Sequence, residues 1–205
     1  MSMSISYEKT GRTSQKARTR DALVQAAREL LARGVSPTVE QAAAAASIAR
    51  ATAYRYFPNQ RTLLTATFPE MTASSLLGES PPDDAVARLD IVVEAITRQA
   101  VEHEAALRSM LRLSLDPDPA GRADLPFRTG RRIVWVTDAL APLRGRLADA
   151  DLERLVLAIA ATVGIDALVW LTDIAGQTRD EAVEIMRSSA RSLLRDALRE
   201  LGGSG

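Results

Sequence analysis

Residues 38–61, TVEQAAAAASIARATAYRYFPNQR, hold two short helical runs with almost no chain between them. Thr38 is placed to N-cap the first, and Gln41 completes a capping box three residues on. Val39, Ala42, Ala43 and Ala46 recur at helical spacing and form a small apolar face. Ser47-Ile48 interrupts that run, and a second helix is expected over residues 50–57, stopped by Pro58. Arg50, Thr52, Tyr54, Arg55 and Tyr56 give this second helix hydroxyl and guanidinium donors. It is short enough to lie in a DNA major groove. On periodicity alone the pair reads equally well as two ordinary packed helices.

Composition narrows the classes. With 205 residues and no Cys, the chain has ample core and no disulfide or thiolate chemistry. The polar start MSMSISYEKTGRTS lacks an apolar signal core, and no long uncharged apolar run appears, so a cytoplasmic protein without a membrane span is expected. Residues 1–70 hold ten Lys+Arg against five Asp+Glu, while the whole chain is neutral. The first third is therefore basic and the remainder acidic, which points to a polyanion partner for the N-terminal part alone.

The remaining pattern is helical. Residues 1–13 read as a disordered basic arm. A helix is expected from Ser14 to Arg33, with Leu23, Ala26, Ala27, Leu30 and Leu31 as its stripe and Gly34 as its C-terminal cap. A fourth helix starts near Gln60 with Leu63, Leu64 and Phe68, in a segment that looks helical to Leu77. Pro69 falls inside it as a kink or as a plain terminus. Domains are thus expected over residues 14–68 and 69–205. In the second, GESPP at 78–82 and DPDPAG at 116–121 are breakers between helices over about 83–103, 104–115 and 131–140. Ile133, Val134, Trp135 and Val136 are too apolar to expect exposed. Two long helices follow, over 151–175 and 178–201, the latter opened by a Thr178–Glu181 capping box.

The string TAYRYFPNQRTLL resembles the DNA-binding domain of TetR-family transcriptional regulators. Thr52, Tyr54, Tyr56, Phe57, Pro58, Leu63 and Leu64 fall on that family's pattern in register, and the likeness covers residues 14–68. It implies an all-α protein: a three-helix helix-turn-helix domain, then a larger helical domain for effector binding and dimerisation. Thr38, Glu40, Arg50, Ala51, Thr52, Tyr54, Arg55, Tyr56 and Gln60 become the candidate DNA contacts. Among them Ala51 offers only an apolar contact, and Glu40 either accepts from a cytosine amine or faces solvent. Three positions depart from the pattern: Ser47 for a turn glycine, Ala49 for a capping serine and Gln60 for a lysine.

The resemblance also implies a ligand-responsive repressor that binds a palindromic double-stranded operator as a homodimer, with the last two helices as the dimer interface. An intramolecular hairpin is the other reading of those helices. A small-molecule effector is implied in the second domain. His103, Met110, Phe127, Trp135, Asp166 and Trp170 are candidates to line its site, with Asp173 beside them, although each is also ordinary core or interface material. No catalytic, metal or cofactor site is expected. His103 stands alone, no glycine-rich phosphate loop occurs, and the acid pairs Asp83-Asp84 and Asp149-Asp151 sit at helix starts, where capping accounts for them. The alternative class is a helical small-molecule-binding protein that has lost specific DNA binding.

Overall fold

The computed structural model describes residues 4–67, 73–115 and 130–203. Among these the regular structure is helical, with no strand. The chain forms two compact units, Met1–Thr72 and Ala73–Gly205. Phe68, Pro69 and the expected loop over 116–126 lie outside the described residues.

In the first unit, α1 (Ser4–Ala32) packs against α2 (Val39–Ala45), α3 (Arg50–Tyr56) and α4 (Gln60–Ala66). Its start corrects the expected one. The backbone of residues 4–13 is helical where composition reads as a disordered arm. No proline interrupts that stretch, and each residue added to a nucleated helix gains a hydrogen bond. Leu23, Val24 and Ala27 of α1 meet Val39, Ala42 and Ala43 of α2, with Ala53, Phe57 and Leu63 closing the core. Two helix ends here use one geometry. Gly34 ends α1 at φ 76°, with Val35 N–H bonded to Leu30 O at 2.9 Å and Gly34 N–H to Leu31 O at 2.8 Å. Ser47 ends α2 at φ 55°, with Ile48 N–H to Ala43 O at 2.8 Å and Ser47 N–H to Ala44 O at 3.1 Å. Both are Schellman turns, which normally take glycine at the left-handed position. A side chain there costs about 1–2 kcal/mol.

The second unit contains α5 (Ala85–Glu102), α6 (Glu104–Ser114), α7 (Arg131–Ala139), a 3-10 turn at Ala141–Leu143, α8 (Asp149–Thr162), α9 (Ile165–Val169) and α10 (Arg179–Gly203). The last turn of α9 runs on as a π-helical turn, Trp170–Ile174. Ala182, Met186, Ala190 and Leu194 recur every fourth residue on α10 and are buried where it packs on α5 and α8.

Three expectations fail in this unit. Residues 73–77 are not helical. Ala73 O accepts the Trp135 indole N–H at 2.9 Å, and Ser75 Oγ bonds the Asp138 carboxylate while accepting Leu77 N–H at 3.0 Å. These long-range bonds override local helix propensity. On α7 Trp135, Val136 and Ala139 are buried, while Ile133 and Val134 stand exposed, because a single helix face reaches the core. Finally, the expected helix over 151–175 is broken. Gly164 takes φ 104°, and the two halves bend by 44°. The Arg132 guanidinium lies at the break, donating to Ala160 O at 3.1 Å and to Val163 O, and pairing with Asp166 at 2.7 Å. Among the described residues no single helix is long and apolar enough to cross a membrane.

A β-carbon on Gly164 would lie 2.6 Å from Arg132 Nη1, at a φ that L residues rarely adopt. Gly164→Ala is expected to lower unfolding stability by roughly 1–3 kcal/mol, read as the shift in a urea midpoint. An unchanged midpoint would show that the break relaxes freely.

Candidate functional site

The alanine faces of α2 and α3 decide what the first unit presents outward. Ala42, Ala43 and Ala53 are essentially inaccessible, so the two helices approach closely. That leaves Arg50, Ala51 and Arg55 on the exposed side of α3, with Thr52, Tyr54 and Tyr56 half-buried beside them. Thr38 is exposed at the start of α2 and forms the expected capping box: its Oγ accepts Gln41 N–H at 3.2 Å, and Gln41 Oε1 accepts Thr38 N–H at 2.8 Å. Ala49 occupies the N-cap of α3 and makes no side-chain cap, and Thr52 N–H donates instead to Ala49 O at 2.9 Å.

Glu40 neither faces bulk solvent alone nor stands clear for a base. Its Oε1 accepts the Tyr54 hydroxyl and lies 2.9 Å from Arg50 Nη2. The Arg50 guanidinium in turn sits 5.6 Å from the centre of the Tyr54 ring, in cation–π range. One carboxylate oxygen of α2 therefore joins two candidate contacts of α3. The Tyr54 hydroxyl bond is the main reason the Glu40 carboxyl is held below its ordinary value, and Glu40 in turn raises the Tyr54 phenol. Gln60 differs from its expected role as well. Its Nε2 donates to Ser36 Oγ at 3.1 Å and Pro37 O at 3.0 Å, tying the start of α4 to the segment before α2. Arg20, over the Phe57 ring at 5.5 Å, and Arg28, donating to Thr67 O at 3.1 Å, fasten α1 to the same group.

Among the described residues, the effector candidates of the second unit have the following surroundings. Trp135 is buried, with its N–H committed to Ala73 O. Met110 is buried in α6, which packs on α9. His103 caps the C-terminus of α5 through its backbone N–H to Gln99 O. Phe127 lies outside the described residues. Trp170 is 56 % exposed and Ile174 71 % exposed on the π-helical turn. Asp166 pairs with Arg132, and Asp173 with Arg108 at 2.5 Å.

Arg108 holds the Asp173 carboxyl at about 2, and it also pairs at 2.7 Å with Glu104, which Arg179 reaches from 2.6 Å. Burial pushes Glu104 up, but the two arginines outweigh it and the net shift is down. An open groove of about 550 Å³ runs beside Thr162 of α8 and Ser189, Ser192, Arg195, Asp196 and Arg199 of α10, and includes none of the expected effector residues. Sequence reasoning missed Arg132 altogether. Its one signal was Gly164 inside an otherwise apolar helix.

Replacing Tyr54 by Phe removes the largest influence on Glu40. The Glu40 carboxyl is then expected to titrate closer to its ordinary 4.5, followed by side-chain NMR. In the unsubstituted protein its depressed value means that the interaction stabilises fully above the ordinary range and fades as pH falls through the folded-state value. An identical titration in Tyr54→Phe would remove the hydroxyl as the cause.

Residues 23–67, which span the core half of α1 through α4, match the family described as bacterial regulatory proteins, tetR family. No curated protein matches the chain. Among solved structures the fold is similar to Thermus thermophilus FadR, described as a TetR-family transcriptional repressor in complex with lauroyl-CoA. That match has 22 % identity and a TM-score of 0.56, and covers 85 % of this chain and 93 % of that one. At such identity the likeness is one of fold.

Proposed function

We propose that the chain is a ligand-responsive transcriptional repressor of the tetR family, whose model its residues 23–67 match, acting as a homodimer on a palindromic operator. The observation that carries this reading is the outward side of α3. Arg50 and Arg55 are exposed there, with the hydroxyls of Thr52 and Tyr56 beside them, on a helix whose opposite side is sealed by Ala53 and Phe57. Such a helix places its N-terminal residues, Arg50 to Thr52, at base edges, and Arg55 and Tyr56 near phosphates. In a two-fold dimer two such helices enter successive major grooves roughly 34–36 Å apart.

Dimerisation is supported by apolar surface on the last helices. Leu157, Trp170, Ile174 and Ile185 of α8, α9 and α10 are exposed, and full burial of one such side chain contributes roughly 1.5–3 kcal/mol. The effector acts by preferring one spacing of the paired recognition helices over the other, since only a difference in affinity between two states shifts their balance. The fold shared with a repressor crystallised with lauroyl-CoA favours an effector with an apolar chain. A second reading is a binding protein without specific DNA recognition. Its support is Glu40, a carboxylate set among the candidate DNA contacts.

Gel-shift titration against duplexes enriched from a random library separates the two. The repressor reading expects a palindromic consensus, and Tyr54→Phe with Arg55→Ala is expected to weaken binding to it by more than about tenfold with the fold intact. No specific shift at any salt concentration would favour the second reading. Sedimentation equilibrium is expected to return about twice the 22.1 kDa chain mass, and a monomer at micromolar concentration would remove the dimer.

A further inference from the structure

We propose that Glu40 is a specificity-determining positioning residue: its carboxylate presets the Arg50 guanidinium at the leading end of the recognition helix and masks its charge from sequence-independent phosphate attraction. This rests on α3 being the recognition helix. Three contacts make the device. Arg50 Nη2 lies 2.9 Å from Glu40 Oε1, the same oxygen accepts the Tyr54 hydroxyl, and the guanidinium stacks 5.6 Å from the Tyr54 ring centre. Together they close a ring across α2 and α3 around a side chain that is otherwise 73 % exposed.

An exposed arginine samples many rotamers and loses that freedom when it binds a base edge. An arginine already held gives up less, so contact with the correct base is favoured. The hold does not use up its donors. A guanidinium carries five N–H groups, and its contact with Glu40 is at Nη2, so other donors remain for a two-bond contact with guanine. The charge works in the same direction. Non-specific binding consists almost entirely of phosphate attraction, and a carboxylate 2.9 Å from Arg50 offsets Arg50's share of that attraction. Background affinity therefore falls more than operator affinity. Simple competition, in which Glu40 holds Arg50 and Tyr54 away from DNA, predicts the opposite sign.

Glu40→Gln keeps the size of the side chain and an oxygen for the Tyr54 hydroxyl, and loses the charge. Fluorescence anisotropy compares it with the unsubstituted protein on the selected operator, on single-base variants of it and on a scrambled duplex. Scrambled-duplex affinity is expected to rise, with a salt slope steeper by about one phosphate contact. The operator-to-scrambled ratio is expected to fall roughly fivefold or more, concentrated at the base position that Arg50→Ala relaxes. The double variant should lose nothing further at that position.

Arg50→Lys keeps the charge without the planar fork and must relax the same position, which provides a test should Glu40→Gln fold poorly in a melting assay. An unchanged or improved ratio in Glu40→Gln overturns the proposal, as does a loss spread evenly over all base positions. If the unsubstituted protein does not distinguish operator from scrambled duplex, the repressor reading fails and this proposal falls with it. Specific binding with an intact base preference in Glu40→Gln overturns this proposal alone.

Discussion

The contact on which the first unit depends is the close approach of α2 and α3 through alanine. Ala42, Ala43 and Ala53 are buried to within 2 %. Their methyl groups let two seven-residue helices, each too short to persist alone, share one core with α1. The approach brings the Glu40 carboxylate within bonding distance of the Tyr54 hydroxyl, and it forces the chain between the helices into a Schellman turn. Larger side chains on either face would separate the helices, and the ring of Glu40, Arg50 and Tyr54 would open. Ser47 in the left-handed region is a consequence of the same packing. Core burial offsets the local cost of a side chain at that position.

In the second unit, charged side chains tie helix ends to one another. Arg132 accompanies the break between α8 and α9, bonding carbonyls that the interrupted helix no longer satisfies and pairing with Asp166 across the gap. Glu104, Arg108, Asp173 and Arg179 join the start of α6 to the end of α9 and the start of α10. Acids that look available along a helix are thereby committed to arginines contributed by other helices. Trp170, one of the expected effector residues, and Ile174 lie on the π-helical turn outside the core.

The helices were legible wherever short-range chemistry decides them. The capping boxes at Thr38 and Thr178, the proline after α3 and the stripe of α1 all depend on residues within a few positions of one another. The uncapped Ala49 and the demanding Ser47 turn were legible for the same reason. Readings failed where a partner distant in sequence outweighed local preference. Residues 73–77 look helical until Trp135 and Asp138 engage them, Ile133 and Val134 look buried until α7 turns a single face inward, and residues 151–175 look continuous until Arg132 meets Gly164.

By itself, the sequence determined the helical class, the paired short helices with their caps, and the residue types that α3 offers to a polyanion. Periodicity, capping and charge are short-range properties, carried by neighbouring residues. Tertiary structure alone decided which of those side chains stand clear and which are already bonded. That Glu40 takes both Arg50 and Tyr54, that Gln60 is tied to Ser36 and Pro37, and that Asp166 belongs to Arg132 are outcomes of which helices pack together. Their physical reason is that a hydrogen bond forms only within about 3 Å and an ion pair within about 4 Å, distances set by the packing of whole helices.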